Sequence, residues 1–392
     1  MTRLFADRMG CVHRSFVREI LKVTEDPEII SFAGGLPNPR YFPVQEVAQA
    51  AQKVLSECGE AALQYSTTEG YLPLREMIRE RYARKGVKVK ASEILITNGS
   101  QQGLDLLSKI FLNKGDGVIL ERPTYLAAIQ SFGFFEPKFH SIPLQEDGIN
   151  LQALEKVLLK DDARLLYSVP NFQNPTGITY SQDKLKAVAE KMSGGSTVFI
   201  EDNPYGDLRF MGKDRPSMKN FLGENAVLLG SFSKIVAPGV RLGWICACEE
   251  IMEKLIIAKQ ALDLHSNYLC QRIVHQYLKD NDVERHIARI RKAYREQRDL
   301  MVATMEETFP ESVSFTRPEG GMFLWVTLPD GVSSLDLFNR AITEKVAFVP
   351  GQAFYADGGG SNTMRLNFSN SDNDRIVEGI TRLGKVLKEE AS

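Results

Sequence analysis

The stretch GSFSKIVAPGVRLGW, from Gly230 to Trp244, decides the fold and the chemistry expected of this chain. It follows the short apolar run 226–229, which is typical of a buried strand. The polar side chains that leave this strand are two hydroxyls, an amine and a guanidinium, namely Ser231, Ser233, Lys234 and Arg241. Hydroxyls and a guanidinium offer several donors to a phosphate, and a lysine beside them can form a Schiff base with a carbonyl of the same ligand. A plain strand end with a solvated lysine and arginine is the alternative that this stretch leaves open.

Composition sets the broad class of the protein. The chain has 392 residues, is 43% hydrophobic and 25% charged, and carries a formal net charge of −2. These values are ordinary for a globular protein of two domains or one large one, and nothing in them points to nucleic acid or an anionic membrane surface. No apolar run approaches the roughly 20 residues that span a bilayer, and the first residues lack the apolar core of a signal peptide. We therefore expect a cytoplasmic protein with no nucleic-acid or membrane partner.

The five cysteines and five histidines show no metal-binding pattern. Cys246 and Cys248 alternate along an expected strand, but they have no second pair and no nearby histidine at metal spacing. We expect buried, reduced thiols and a mechanism without a metal.

Short apolar runs alternate with helical patterns from Glu93 onward. The seven candidate strands are 94–97, 117–120, 139–142, 165–169, 198–200, 227–229 and 244–247, and helices between them include 101–112 and 182–192. This alternation predicts an α/β fold with a large, mostly parallel seven-stranded sheet covered by helices. Ligands bind such sheets beyond the carboxyl ends of the strands.

Polar residues follow five of these strands, at the ends where a ligand is expected. After the first strand, Ser100 and Gln101 open a helix whose free N–H groups can bind an anion. The residues that follow the other four strands are Tyr125, Asn174, Asp202 with Tyr205, and the set from Ser231 to Arg241. Each alone is an ordinary strand-to-loop transition, or a simple helix cap in the case of Ser100. Their common position predicts one site at one edge of the sheet.

The rest of the chain predicts a smaller α+β unit and an N-terminal segment. Strands are expected at 320–326, 346–349 and 364–368, and helices at 44–57, 73–85, 281–307, 335–344 and 374–388. The stretch Val12–Val23 is amphipathic, and the run Gly34–Pro37 predicts a turn where backbone can approach a ligand. We expect an N-terminal segment (1–43) that packs with the small domain and the active site, a large domain (44–280) that carries the predicted site, and a small C-terminal domain (281–392).

Three motifs together resemble a known enzyme family. Ser231–Lys234 with Arg241, the run Asn174–Gly177 and the run Asp202–Tyr205 are similar in order and spacing to the fold-type I, class I/II aminotransferases that use pyridoxal phosphate. The likeness covers nearly the whole chain, and the runs 17–22, 31–37 and 64–66 are most similar to the branch of 2-aminoadipate aminotransferases of lysine biosynthesis and kynurenine metabolism. The resemblance implies an aminotransferase with pyridoxal 5'-phosphate as cofactor, amino acid and 2-oxo acid substrates, and a homodimer with shared active sites.

The resemblance also implies how the cofactor would be held. Lys234 would bind it covalently and later carry the proton, Asp202 would pair with the pyridine nitrogen, and Tyr205 and Asn174 would hydrogen-bond the ring phenolate. Tyr125 would stack on the ring. The phosphate would be held by Ser100, Gln101, Ser231, Ser233 and Arg241, joined by Tyr65 from the neighbouring subunit.

The substrate side of the site follows from the same resemblance. Arg365 would clamp the α-carboxylate together with Asn174, while Arg18 and Gly35 would line the side-chain pocket. A strand-end capping role for Asp202 and a strand-pairing role for Arg365 are the plainer alternatives.

Chemistry explains this set of residues. Loss of the Cα proton leaves a carbanion that the cofactor ring delocalises best when its nitrogen is protonated, and a buried carboxylate favours that protonated form.

Because most of these residues serve the cofactor, a carbon–sulfur β-lyase on the same scaffold stays open. A ligand-sensing module like that of winged-helix regulators is a third possibility, although the likeness begins near the N-terminus. The donor is expected to be 2-aminoadipate-like, glutamate, kynurenine, aromatic or branched, and the acceptor 2-oxoglutarate in a ping-pong reaction.

Overall fold

Helices and strands alternate through most of the structure, a computed structural model that describes residues 4–10, 20, 26–160 and 162–390. The strands are β1 (Ile30–Ser31), β2 (Ile94–Thr97), β3 (Gly117–Arg122), β4 (Lys138–Gln145), β5 (Gly148–Ile149), β6 (Ala163–Ser168), β7 (Val198–Asp202), β8 (Ala226–Ser231), β9 (Gly243–Cys246), β10 (Ser314–Phe315), β11 (Phe323–Thr327), β12 (Val346–Ala347), β13 (Val349–Pro350) and β14 (Thr363–Asn367). The α-helices are α1 (Val44–Leu63), α2 (Leu72–Arg84), α3 (Ser100–Phe111), α4 (Leu126–Gly133), α5 (Leu151–Leu158), α6 (Gln182–Met192), α7 (Lys219–Leu222), α8 (Glu249–Asp263), α9 (Tyr268–Asp280), α10 (Val283–Thr308), α11 (Ser334–Thr343) and α12 (Asn373–Glu390).

The large sheet has the order β2-β9-β8-β7-β6-β3-β4-β5. Strands β8, β7, β6, β3 and β4 pair in parallel, and β9 runs antiparallel to both β8 and β2. Strand β2 therefore points the same way as β8, so the carboxyl ends of six strands meet at one edge. The predicted α/β fold with a mostly parallel sheet is confirmed. The seven predicted strands are all present, and β5 adds a two-residue strand antiparallel to β4.

Apolar side chains cover both faces of this sheet. Leu229 of β8 belongs to the same buried cluster as Leu104 of α3 and Ile245 of β9. Its neighbour Leu228 points to the opposite face, where it packs in a separate cluster with Trp244. Each such leucine contributes about 1.5–3 kcal/mol when fully buried. Burial on both sides explains why the strand sequences are continuous apolar runs.

A second, antiparallel sheet lies in the C-terminal part of the chain, with the order β10-β11-β14-β13. The predicted single strand 346–349 was wrong: β12 pairs in parallel with β1, whereas β13 pairs with β14. Phe348 separates the two strands, is fully buried, and packs edge-on against Phe338 at 5.6 Å. At Phe348 the chain therefore changes from pairing with β1 to pairing with β14.

Two predicted helices can be compared directly with the structure. The predicted helix 44–57 continues to Leu63, and the helix predicted over 281–307 is α10. The domain boundaries at residues 43 and 280 stay predictions, and the amphipathic stretch 12–23 lies outside the described residues except for Ile20. Across the described ranges, no helix is long and apolar enough to cross a membrane.

Gly230 is in direct contact with the indole of Trp244, its partner across β8 and β9. A Cβ at Gly230 would lie 2.2 Å from Trp244 Cε2. The ring is also held at its far end, because Trp244 Nε1 donates a 2.9 Å hydrogen bond to the hydroxyl of Tyr82. The site-bearing strand β8 thus depends on a glycine for its packing against β9.

Gly230→Ala is expected to lower the free energy of unfolding by about 1–3 kcal/mol, the usual cost of overpacking a core. Urea denaturation of variant and wild type in the same cofactor state measures the difference. Gly239→Ala is the matched control, because an added Cβ there meets nothing within 4 Å. Equal stability of the Gly230 variant and wild type would contradict the packing described.

Candidate active site

A cavity of about 630 Å³ lies at the carboxyl ends of β2, β3, β6, β7 and β8. Twelve of the residues predicted for the site line it: Gly35, Ser100, Gln101, Tyr125, Asn174, Asp202, Tyr205, Ser231, Ser233, Lys234, Arg241 and Arg365. Tyr65 does not line it, and this residue is 78% exposed on the surface. Arg18 lies outside the described residues. The polar strand ends expected from the sequence therefore meet at one place.

Asp202 is a buried carboxylate at the end of β7. Its Oδ2 accepts a 2.8 Å hydrogen bond from the hydroxyl of Tyr167, whereas its buried Oδ1 has no partner among the described residues. Burial raises the pKa of Asp202 to about 7, and the bond from Tyr167 opposes that shift only in part. A buried carboxylate oxygen without a partner is costly, so this position favours a ligand that brings a donor or a positive charge.

Lys234 follows β8 and points its amine into the cavity. Its Nζ donates a 2.9 Å hydrogen bond to the carbonyl of Gly35. Burial lowers the pKa of Lys234 to about 8, and the nearby guanidinium groups of Arg365 and Arg241 add to this effect. About a tenth of the amine is therefore neutral at pH 7, far more than for an ordinary lysine, and the neutral form is what a nucleophile or a proton acceptor needs.

Arg365 is linked through Asn174 to Tyr205. Its Nη1 donates to Asn174 Oδ1 at 2.8 Å, and Asn174 Nδ2 donates to the Tyr205 hydroxyl at 3.3 Å. Its Nη2 donates to the carbonyl of Ala33 at 2.8 Å, while its buried Nε has no partner among the described residues. Burial lowers the pKa of Arg365 to about 10, which keeps it cationic at neutral pH.

Two phenyl rings fix the plane of the Arg365 guanidinium. The centre of the guanidinium lies 4.3 Å from the ring centroid of Phe323 and 5.1 Å from that of Phe354. Stacking on aromatic faces stabilises a cation and restricts its orientation. The fork is therefore held ready for a planar anion such as a carboxylate.

The opposite end of the cavity is formed by the start of α3. Gly99 caps this helix with φ +74° and no side-chain cap, so the first N–H groups of the helix are left for another acceptor. A Cβ at Gly99 would lie 2.7 Å from Arg241 Nη2, which explains the glycine. Ser231 and Ser233 face the same end, where Ser233 N donates to Ser231 Oγ at 3.0 Å. Free N–H groups, hydroxyls and a guanidinium form an anion site.

The charge of the cavity is unbalanced. Among the described residues, three basic side chains line it, namely Lys234, Arg241 and Arg365, against one acidic side chain, Asp202. The excess of positive charge suits a ligand with anionic groups at both ends and a cationic or proton-bearing group near Asp202.

Sequence reasoning missed several residues of the site. Tyr167 is hidden in the apolar strand β6, although a buried tyrosine hydroxyl needs a partner and that need was a usable signal. Phe323 and Phe354 sit in ordinary apolar patterns, and nothing in those patterns points to Arg365. Their roles depend on contacts between distant parts of the chain.

Comparison with known proteins places the chain among enzymes. Residues 30–383 match the family model for aminotransferase class I and II. The chain is 45% identical to the 2-aminoadipate transaminase of Thermus thermophilus, over 98% of this chain and 96% of the relative. It is 42% identical to aromatic-amino-acid aminotransferase 1 of Thermococcus litoralis, over 99% and 95%. The crystal structure of Pyrococcus horikoshii kynurenine aminotransferase is 44% identical and superposes with a TM-score of 0.95, over 100% of this chain and 98% of that one.

The similarity spans nearly the full length of both partners in each comparison, and the ordered motifs and the fold agree with it. The predicted resemblance is confirmed: the chain belongs to the class I and II aminotransferases.

Proposed function

We propose that this aminotransferase uses pyridoxal 5'-phosphate to move the α-amino group of an amino acid to a 2-oxo acid by a ping-pong mechanism. The observation that carries the proposal is the buried Asp202 carboxylate, one oxygen of which has no partner among the described residues, in the same cavity as Lys234 and Arg365. The family implies this cofactor, and the P. horikoshii kynurenine aminotransferase structure is described as a complex with PMP.

The residues of the cavity fit pyridoxal phosphate in charge and in donor chemistry. When bound, this cofactor supplies a ring that delocalises the negative charge left by loss of the substrate Cα proton. Asp202 Oδ1 would accept a hydrogen bond from the protonated ring nitrogen and, as a buried carboxylate, favour the protonated form of that nitrogen. Tyr205 and Asn174 would donate to the ring oxygen, and Tyr125 would cover one face of the ring.

Lys234 would act at two moments of the reaction. Its neutral amine would attach the cofactor to the chain, because burial and neighbouring cations lower its pKa to about 8. With substrate bound, Lys234 Nζ would also be the base that accepts the substrate Cα proton and the acid that later returns it. Lys234 is the one lysine among the described residues that line the cavity.

The anion site at the start of α3 would hold the cofactor phosphate. The N–H groups of Ser100 and Gln101, the hydroxyls of Ser231 and Ser233 and the guanidinium of Arg241 are donors around one end of the cavity. A dianionic phosphate at a helix N-terminus is also favoured by the helix dipole.

Arg365 would bind the α-carboxylate of either substrate. Its Nε is unpaired among the described residues, and its plane is fixed by two phenyl rings. Asn174, which touches both Arg365 and Tyr205, would orient the carboxylate end relative to the ring.

The choice of amino acid is argued from relatives whose names include 2-aminoadipate, aromatic amino acids and kynurenine. We propose a long, acidic or aromatic side chain as the donor, with glutamate and branched amino acids as further candidates, and 2-oxoglutarate as the acceptor. Gly35 lines the cavity with its backbone, which leaves room for a long side chain. The proposed role of Arg18 in that pocket stays a prediction.

Tyr65 would serve a neighbouring subunit in a homodimer. It lies outside its own cavity, is 78% exposed, and packs edge-on against His265 with ring centroids 5.9 Å apart. A largely exposed tyrosine, with an apolar ring and a polar hydroxyl, suits a contact with a second chain. Sedimentation of a monomer that still binds the cofactor fully would contradict this role.

Purified protein with pyridoxal phosphate is expected to convert 2-aminoadipate, kynurenine, phenylalanine or leucine to the 2-oxo acid, provided that 2-oxoglutarate is present as the acceptor. Mass spectrometry of the donor product, and of glutamate formed from 2-oxoglutarate, measures the exchange. Lys234→Ala is expected to lose at least about 10³-fold in kcat because the nucleophile and base are gone, whereas the exposed control Lys213→Ala is expected to keep wild-type kcat.

Two results would count against this reaction. Absence of exchange with every donor would contradict transamination. Release of pyruvate and ammonia from cystathionine without an acceptor would instead favour the carbon–sulfur β-lyase, which the names of the relatives do not support.

Arg365→Lys is expected to raise KM for the amino acid by about 10- to 100-fold, the effect of losing 1.5–3 kcal/mol of charge-assisted hydrogen bonding. Lysine offers a point charge in place of a bidentate fork. Steady-state kinetics with saturating acceptor measure the change.

Arg209→Lys is the matched control, because Arg209 is also buried and stacked on a phenyl ring, at 4.6 Å from the Phe172 centroid, but does not line the cavity. It is expected to lower stability and leave KM unchanged. A rise in KM of the same size in both variants would show that the effect at Arg365 is only structural.

A further inference from the structure

A cluster of polar side chains lies directly behind the turn that opens α3. This Lys259 network consists of Lys259, Asp263, Ser266, Gln102 and Asn98. The Lys259 side chain is fully buried, and its Nζ donates to both carboxylate oxygens of Asp263 at 2.9 and 3.0 Å, to Gln102 Oε1 at 2.9 Å and to Ser266 Oγ at 3.0 Å. The ammonium is thus fully surrounded by acceptors, as a buried cation requires.

The network forms hydrogen bonds with the turn on both sides of the residues that line the cavity. Asp263 Oδ2 accepts from Asn98 Nδ2 and from Gln102 Nε2, each at 2.7 Å. Gln102 Oε1 also accepts from the backbone N–H of Asn98 at 2.9 Å. Between these two residues, 99–101 line the cavity. The flanks of the turn bind the network, and its centre faces the ligand.

Two further side-chain hydrogen bonds reach the turn, from Thr97 Oγ1 to the carbonyl of Gly99 at 2.9 Å and from Arg241 Nη2 to the carbonyl of Asn98 at 3.5 Å. Gly99, the cap of α3, has φ +74° and contributes no side-chain cap. A glycine at this position leaves the backbone freer than any other residue would. These two bonds hold carbonyl groups, whereas the network from α8 and the residues after it holds the side chain and N–H of Asn98 and the side chain of Gln102.

We propose that Lys259 is a positioning residue for the cofactor phosphate: through Asp263 and Gln102 it fixes the turn 98–102 so that the first N–H groups of α3 point at that phosphate. This inference rests on the proposed function, because the phosphate belongs to the proposed cofactor. Lys259 itself does not line the cavity, so it acts only through the turn. A purely structural role would stabilise the protein without selective effect on the phosphate.

Lys184 on α6 provides a matched control for that distinction. Its side chain is 8% exposed, and its Nζ contacts Asp147 Oδ1 at 3.0 Å, Gln145 Oε1 at 2.9 Å and the carbonyl of Ile149 at 3.1 Å. It is therefore another buried, well-paired lysine, but none of its partners is adjacent in the chain to a residue that lines the cavity, as Gln102 is.

The test compares two ligands that differ only in the phosphate. Dissociation constants of pyridoxal phosphate and of pyridoxal are measured for the cofactor-depleted full chain by absorbance titration. Lys259→Met is expected to weaken pyridoxal phosphate about tenfold, equivalent to about 1.4 kcal/mol, and to change pyridoxal less than about twofold. Gln102→Ala, which removes one link without deleting the buried lysine, is expected to shift the same ratio in the same direction. Lys184→Met is expected to leave the ratio at its wild-type value.

The outcomes separate the inference from the function on which it rests. Equal weakening of both ligands, or no weakening of either, in Lys259→Met and Gln102→Ala would overturn the positioning role while wild-type binding of pyridoxal phosphate upholds the proposed cofactor. If Lys259→Met does not fold, the ratio in Gln102→Ala decides. Wild-type protein that binds neither ligand would overturn the proposed cofactor and this inference with it.

Discussion

The burial of one carboxylate is the constraint on which the site depends. Asp202 ends a strand in the middle of the large sheet and is buried from water. Within the described part of the chain, one of its oxygens accepts a hydrogen bond from Tyr167 and the other has no partner. Such a group either keeps a proton or pairs with a cation. Burial raises the pKa of Asp202 to about 7, so that without a ligand about half of these carboxyl groups keep a proton at neutral pH. A ligand with a protonated ring nitrogen supplies the cation with which the carboxylate can pair. The free-energy cost of burying the carboxylate therefore favours binding of such a ligand.

The rest of the cavity follows from where the chain can place cations around this carboxylate. The parallel strands bring Lys234 and Arg241 to the same edge as Asp202, while Arg365 arrives from the smaller antiparallel sheet. Neighbouring positive charges lower the pKa of Lys234, so the groups that would bind the anionic ends of the ligands also prepare the amine. Binding and proton transfer therefore share one electrostatic arrangement.

Much of this could be predicted from the sequence, for a physical reason. Strands buried on both faces are continuous apolar runs, and polar residues just beyond them must emerge at one edge, so Asp202 and Lys234 were predicted to lie together. The hydrogen bond from Tyr167 was not predicted, because a strand pattern reports burial and not the partner on the next strand. Lys259 was missed since its helix lies far along the chain from the turn that it holds. Phe348 divides one expected strand into two, and only its tertiary packing shows this.

Titration of the Asp202 carboxyl tests the central claim most directly. Carboxyl-labelled protein followed by NMR, with Asp202→Asn to assign the signal, would give the pKa with and without pyridoxal phosphate. We expect a midpoint near 7 in the cofactor-free protein, well above the ordinary value of 3.8, and a marked fall when the cofactor binds. Because the folded pKa is raised, stability from this group is full below about pH 4 and is lost as the pH rises through 7. A midpoint near 4 without cofactor, or one that cofactor does not move, would contradict the account.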